Sequence, residues 1–326
     1  TSQDAVRNLN TEILAGKGPD VFLLDGMPIE SYINKGVLED LAPLLEKDIS
    51  AGTYLDNIAN TYRKEEALYA IPSRFTTHII FGTELENLNS LQDLVLWNKE
   101  HSPDQPAFLA SDLLQFYSVF SSTWFDEQGK LDEGNFSKGM QELETFMQTY
   151  EEDDDNSVLG AVRGDAISAS IMFKNGKLPL GFATLRSFSV LSAPYSAMTE
   201  VDNADLTLFP QQAGGLYTPV LVLGLNAASE EKDAAKDFIS FALSTEVLSH
   251  SFDEGIPVNR EALLASTISP QSDPDLVIGG YGLGFSDPDD PMGAGESYSL
   301  DVYWPSEDFM ADMIAQIETL STPSYD

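Results

Sequence analysis

The chain has no cysteine, so neither disulfides nor thiolate metal ligands can support its fold. Positive charge is also scarce: 17 lysines and arginines face 53 aspartates and glutamates, a formal charge of −36. Nucleic acid and anionic membrane surfaces are recognised by clustered positive charge, and both are therefore excluded as partners. No apolar run reaches the roughly 20 residues of a membrane span. The three histidines, His78, His101 and His250, show no metal-ligand spacing, and no H-E-x-x-H occurs. The nucleophile-elbow pattern G-x-S-x-G and the phosphate-loop pattern G-x-x-x-x-G-K are absent too. Neither a metal nor a cofactor is expected, and the chain does not read as an enzyme.

What is present is a globular composition, 42% hydrophobic and 10% aromatic, over 326 residues, which is enough for two lobes. The acidic balance serves solubility. The acidic run Glu151–Asp155 reads as a solvated loop, since consecutive carboxylates do not converge on one ion. The trio Asp287, Asp289 and Asp290 reads the same way. Gly279–Gly284 lacks dinucleotide-loop spacing and no helix is predicted after it, so a loop is expected there. Residues 269–298 as a whole show little periodicity.

Periodicity predicts a helix over 4–14, with Val6, Leu9, Ile13 and Leu14 on one face and Gly16 and Gly18 ending it. A short buried strand, Val21–Leu24, follows and closes at Asp25-Gly26. Further helices are expected at 90–100, 111–124 and 135–150, with strands at 180–185 and 206–210. Val220–Leu223 reads as a buried strand of a parallel sheet. Beyond it, Ala235, Phe238, Ile239, Ala242 and Val247 define the buried face of a helix. A last helix starts at Pro305–Asp308.

Three stretches carry a resemblance. G-P-D-V-x-x-L-D-G spans Gly18–Gly26, Y-A-I-P spans Tyr69–Pro72, and the run from Thr218 to Leu263 includes L-x-x-A-S and G-I-P-V-N. Together they resemble the extracellular solute-binding proteins of ABC importers, family 1, the sugar-type branch. The resemblance covers nearly the whole chain, without the family's first strand and its last helices. It implies a two-lobed, periplasmic-binding-protein-like α/β fold of class II. Each lobe would be a mixed, mainly parallel sheet flanked by helices. Lobe 1 would hold 1–73 and 215–285, and lobe 2 would hold 79–209 and 295–326. Hinge crossings would fall at 70–78, 209–218 and 285–304.

The resemblance further implies capture of a mono- or oligosaccharide by hinge closure and its delivery to a membrane permease. The expected protein is a monomer, a cell-surface lipoprotein of a Gram-positive bacterium. A chain opening at Thr1 without a leader fits a processed or cut form. Alternatives are a polyamine or amino-acid derivative as the solute, a glycoside-active enzyme, and a surface receptor that signals without transport.

Sugars offer apolar ring faces and hydroxyl edges, so cleft aromatics and polar groups are the candidate ligand contacts. On the first lobe these are Asp25, Met27 and Asn259, with Arg74 and Phe75 beside the hinge. On the second they are Trp124 (with Tyr117 on the same expected helix), Arg186 and Phe188. Tyr217 precedes the return crossing and Trp304 starts the last helix. Leu24 and Met27 stand where malto-oligosaccharide binders carry an aromatic and a carboxylate, which disfavours a maltose-type ligand. Two arginines among only six in the chain raise an anionic sugar as the ligand.

Overall fold

The computed structural model describes residues 2–86, 88, 91–101, 124, 131–149, 166–209, 215–250, 254–271, 273, 276–285 and 295–323. Its strands in chain order are β1 (Val21–Leu23), β2 (Arg63–Lys64), β3 (Ala67–Leu68), β4 (Ile71–Thr83), β5 (Leu180–Leu185), β6 (Ala204–Phe209), β7 (Leu216–Leu225), β8 (Ile256–Pro257), β9 (Gly279–Gly284), β10 (Ser297–Val302) and β11 (Thr322–Pro323). The chain forms two compact units. One holds Thr1–Thr76 and Tyr217–Ile268, the other Thr77–Leu216 and Ser269–Ser324. The boundaries fall within two long strands, β4 at Thr76–Thr77 and β7 at Leu216–Tyr217, and in the chain at Ile268–Ser269.

In the first unit β7 is the central strand. β1 pairs with it through Val21–Leu225 and Leu23–Leu223, and β4 through Ile71–Leu223 and Thr76–Thr218. β8 then adds to β4 at Arg74 and Phe75. All these ladders are antiparallel, so the parallel pairing expected for Val220–Leu223 is corrected. The reason is topological: β7 returns the chain along β4, and two neighbouring strands that carry the chain out and back must run in opposite directions.

Phe22, Leu24, Tyr32, Leu38, Tyr62, Ala70 and Val222 form a buried cluster on this sheet, with Leu9 and Ile13 of helix Ser2–Leu14 packed against it. Helix Lys232–Ala242 buries Ala235 and Ile239, followed by Leu243. That four-residue stripe leaves Phe238 on its flank, 53% exposed rather than buried as its spacing had suggested.

In the second unit the latter half of β4 is central, with β5 and β6 antiparallel on its two sides. Helix Ala166–Lys174 is buried along Ser168–Phe173, as a run of small and apolar side chains without a polar face requires. Its Phe173 meets Phe81 edge-on at 5.7 Å. Phe81 in turn lies over Gly181, where an added Cβ would stand 2.2 Å from the ring. Gly181→Ala is therefore expected to cost roughly 1–3 kcal/mol through overpacking. A fall in the urea midpoint at unchanged m-value would show it, and an unchanged midpoint would refute it.

Residues 279–284 are a strand, not the expected loop, and they do not belong with the first unit. β9 pairs antiparallel with β10 over Gly279–Val302 to Gly284–Ser297. This hairpin packs on helices Ala166–Lys174 and Ser192–Thr199 of the second unit. Leu300 and Val302 supply its buried face. The four glycines of β9 hid its alternation in the sequence. Helix Glu133–Thr149 realises the one expected at 135–150. Tyr117, Glu151–Asp155, Asp287, Asp289 and Asp290 lie outside the described residues.

Candidate functional site

The loop after β1 begins with Asp25, and both of its carboxylate oxygens are engaged. Oδ1 accepts the Leu221 amide at 2.7 Å and Oδ2 accepts the Val222 amide at 3.0 Å. Leu221 has φ +52°, the left-handed region that strains a side-chain-bearing residue. Ser73 Oγ donates to its carbonyl at 3.0 Å. Asp25 and Ser73 thus hold a kinked peptide in β7 from both sides. Met27 is half-buried, packs against the first unit's core and has its Sδ 4.0 Å from the Tyr32 hydroxyl.

Arg74 is buried at 3% exposure and faces backbone carbonyls. Nη1 donates to Gly255 O at 3.0 Å, and Nη2 to Leu248 O and His250 O, each at 2.9 Å. Burial lowers its pKa, and the nearby Glu254 works the other way. The guanidinium therefore closes the C-terminal end of helix Thr245–Leu248. Phe75 is fully buried and meets Tyr217 edge-on at 6.2 Å. The Tyr217 hydroxyl lies 2.8 Å from Thr61 Oγ1 and donates to Asn57 O at 3.2 Å.

Asn259 caps helix Arg260–Ser266. Its Oδ1 accepts the amides of Glu261 and Ala262, and its Nδ2 donates to Leu243 O at 3.1 Å. Arg74, Phe75, Tyr217 and Asn259 thus form one block that ties the two crossing strands of the first unit to its C-terminal helices. They fill core and capping positions rather than lining a surface.

In the second unit Trp124 is 4% exposed and stands edge-on to Phe136 at 5.2 Å. It also closes over Gly139, where a Cβ would meet its Nε1 at 2.4 Å. Phe188 is 2% exposed and opens a turn of 3-10 helix, Phe188–Leu191. Arg186 is exposed at the end of β5, and Trp304 is half-buried after β10. The Tyr303 amide beside Trp304 donates to Ser196 Oγ at 2.8 Å. Of the ten candidates, Asp25, Met27, Arg186 and Trp304 keep solvent-facing surface, two in each unit.

Sequence reasoning missed a cluster at the end of β4. Trp97 Nε1 donates to Glu84 O at 2.9 Å, and His101 stacks on Trp97 at 4.5 Å. The His101 nitrogens face Trp97 O and Glu84 Oε2, both at 2.8 Å. Burial opposes its protonation, but the Glu84 and Trp97 contacts outweigh that and raise its pKa. The four-residue spacing of Trp97 and His101 was the available signal. Among the described residues no group of three or more His, Asp or Glu is placed to hold a metal. None of their helices is long and apolar enough to cross a membrane.

Two compact α/β units joined by long crossing strands define the class of the two-lobed solute-binding proteins. The family model for bacterial extracellular solute-binding proteins matches residues 1–248, and the chain belongs to that family.

Among solved structures, the family 1 extracellular solute-binding protein from Alicyclobacillus acidocaldarius superposes with a TM-score of 0.53 at 20% identity, covering 81% of this chain and 71% of that one. The bacterial solute receptor AcbH, described as having an exclusive preference for β-D-galactopyranose, gives 0.51 at 12% identity over 99% and 78%. A periplasmic oligogalacturonide binding protein from Yersinia enterocolitica gives 0.50 at 15% identity over 80% and 70%. At such identities the likeness concerns the fold. No curated protein sequence matches the chain.

Proposed function

We propose that this chain captures a mono- or oligosaccharide and hands it to the membrane permease of an ABC importer, without covalent chemistry. The observation that carries the reading is the family match over residues 1–248. The solutes named for AcbH and for the Yersinia protein, a hexose and an acidic oligosaccharide, support a carbohydrate as the cargo. Strands β4 and β7 would serve as the hinge, and a ligand would favour closure by its greater affinity for the closed form. The protein would work outside the cell, held to the surface of a Gram-positive bacterium by a lipid anchor, as a monomer. Asp25, Met27, Arg186 and Trp304 are the contacts proposed first, because they keep accessible surface. Arg74, Phe75, Trp124, Phe188, Tyr217 and Asn259 would act behind them by holding strands and loops in place.

The test is a thermal-shift screen against a carbohydrate library. A sugar at a hundred times its dissociation constant should add about 2.7 kcal/mol of stability. Failure of every carbohydrate to raise the Tm, alongside a clear rise with a polyamine or amino acid, would replace the sugar reading with another solute.

A further inference from the structure

This inference rests on the reading of the chain as a solute binder and concerns the charge of the solute. Of the six arginines, Arg163 lies outside the described residues. Arg63 pairs with Glu46 and Asn60, Arg74 holds three carbonyls, and Arg7 and Arg260 also have partners. Arg186 is exposed and has no hydrogen-bond or ion-pair partner among the described residues. It is a guanidinium with no carboxylate partner among the described residues, in a chain with 53 acidic and 17 basic residues.

Its position adds to this. Arg186 leaves β5 and enters a continuous helical run, in which the turn Phe188–Leu191 passes directly into helix Ser192–Thr199. Ser187 is extended (φ −157°, ψ 156°) and its side chain does not cap the run. Its hydroxyl and that of Ser189 lie 2.8 Å apart at the start. The first amides of such a run carry partial positive charge.

A separate observation points to the same turn. Ser192 Oγ is buried, the residue being 2% exposed, and is the one buried side-chain polar atom without a partner among the described residues. Ser170 and Ser196, also inside helices, donate to the carbonyls four residues back at 2.6 and 2.7 Å. Ser192 does not. The Cα–Cβ bonds of a helix tilt toward its N-terminus, and the turn Phe188–Leu191 lies on that side of Ser192. A buried hydroxyl left so has a donor ready for an incoming oxygen.

We infer that the turn Arg186–Ser192 binds an anionic group on the solute, the carboxylate of a uronic acid or the phosphate of a sugar ester. Arg186 is the paired cation and the serines and first amides are hydrogen-bond donors. The guanidinium fork matches both oxyanions, and a neutral hydroxyl makes poor use of it.

The test is calorimetric titration of the whole chain with galacturonate and glucuronate oligosaccharides, hexose phosphates and their neutral counterparts. The variants are Arg186→Gln, Ser192→Ala and, as a charge-matched control in the first unit, Lys47→Gln. An acidic solute should bind at least about tenfold more tightly than its neutral counterpart. Arg186→Gln should weaken the acid roughly ten- to hundredfold and leave the neutral sugar unchanged, the range of a charge-assisted hydrogen bond. Ser192→Ala should weaken the acid while leaving the ligand-free Tm level or higher, which a purely structural serine would not do. The uronate and phosphate arms identify which oxyanion is read.

Neutral sugars binding as tightly as acids, or Arg186→Gln behaving like Lys47→Gln, overturns the anionic subsite and leaves sugar capture standing. No response to any carbohydrate, acidic or neutral, overturns both.

Discussion

Replacing Arg74 with methionine is expected to destabilise the first unit strongly, by about 1–3 kcal/mol for each buried carbonyl left without its donor. The apolar replacement fills much of the same volume, so the loss isolates hydrogen bonding from packing. Three acceptors lose their donor together: Gly255 O, Leu248 O and His250 O. Two of them end or follow helix Thr245–Leu248, whose last carbonyls have no partner within the helix. The third, Gly255, has φ +136°, and its Cα–Cβ direction points within 3.0 Å of Phe75 O and Arg74 Cβ. Only glycine fits there, since an added Cβ would also stand 2.8 Å from Val220 Cγ2. Arg74→Lys should recover less than half of the loss, because one ammonium cannot reproduce the planar fork. The measurement is the denaturant midpoint of the first unit, followed by Tyr217 or Tyr54 environment-sensitive signals. A loss under about 1 kcal/mol would show that water replaces the guanidinium and would remove its structural role.

The second large effect is on pH dependence. His78 lies in β4 opposite Thr184 and Phe209, with Thr184 Oγ1 at 3.4 Å from Nδ1. Burial lowers its pKa to about 4, from an ordinary histidine value of 6.5. The folded chain thus keeps this ring neutral where the unfolded chain protonates it. Above pH 6.5 both states are neutral at this position and its contribution to stability is complete. As pH falls from 6.5 toward 4 the unfolded state takes up the extra proton, and stability drops by up to about 3 kcal/mol. Below pH 4 both states are protonated and the loss levels off. The abundant carboxylates titrate in part of this window, so the informative quantity is the difference between wild type and His78→Gln. Glutamine keeps a polar partner for Thr184 without a titrating ring. The variant should lose less stability between pH 7 and pH 4.5 than wild type does. Parallel curves would mean that His78 titrates normally in the folded state.

Much of the fold was legible in the residues. Helix Ser2–Leu14, β1 and the start of helix Glu307–Ile317 follow from local pattern. The family motif at Tyr69–Pro72 leads into β4, within which the chain passes from the first unit to the second at Thr76–Thr77. The β9–β10 hairpin was not legible, because glycine at four of six positions erases the alternation that marks a strand. Strand direction in the first unit was also beyond reach: an apolar run of four looks the same in a parallel and in an antiparallel sheet. Phe238 shows a third limit, since spacing alone fixes a helix face only to within about one residue's rotation.

The candidate site divides along the same line. Sequence could name Arg74, Asn259 and Tyr217 as polar or aromatic residues near the crossings. It could not say that backbone carbonyls, amides and a threonine hydroxyl already hold them. Nor could it find the Asp25–Leu221–Ser73 kink, which joins residues nearly two hundred positions apart.

By itself the sequence determined the class of the protein, its acidic and cysteine-free character and the places where helices begin. These depend on composition and on neighbours a few residues away. Tertiary structure alone decided which polar side chains remain available to a solute. A side chain's partners are fixed by contacts across the chain, and those contacts bury six of the ten expected ligand residues and leave Asp25, Met27, Arg186 and Trp304 with exposed surface.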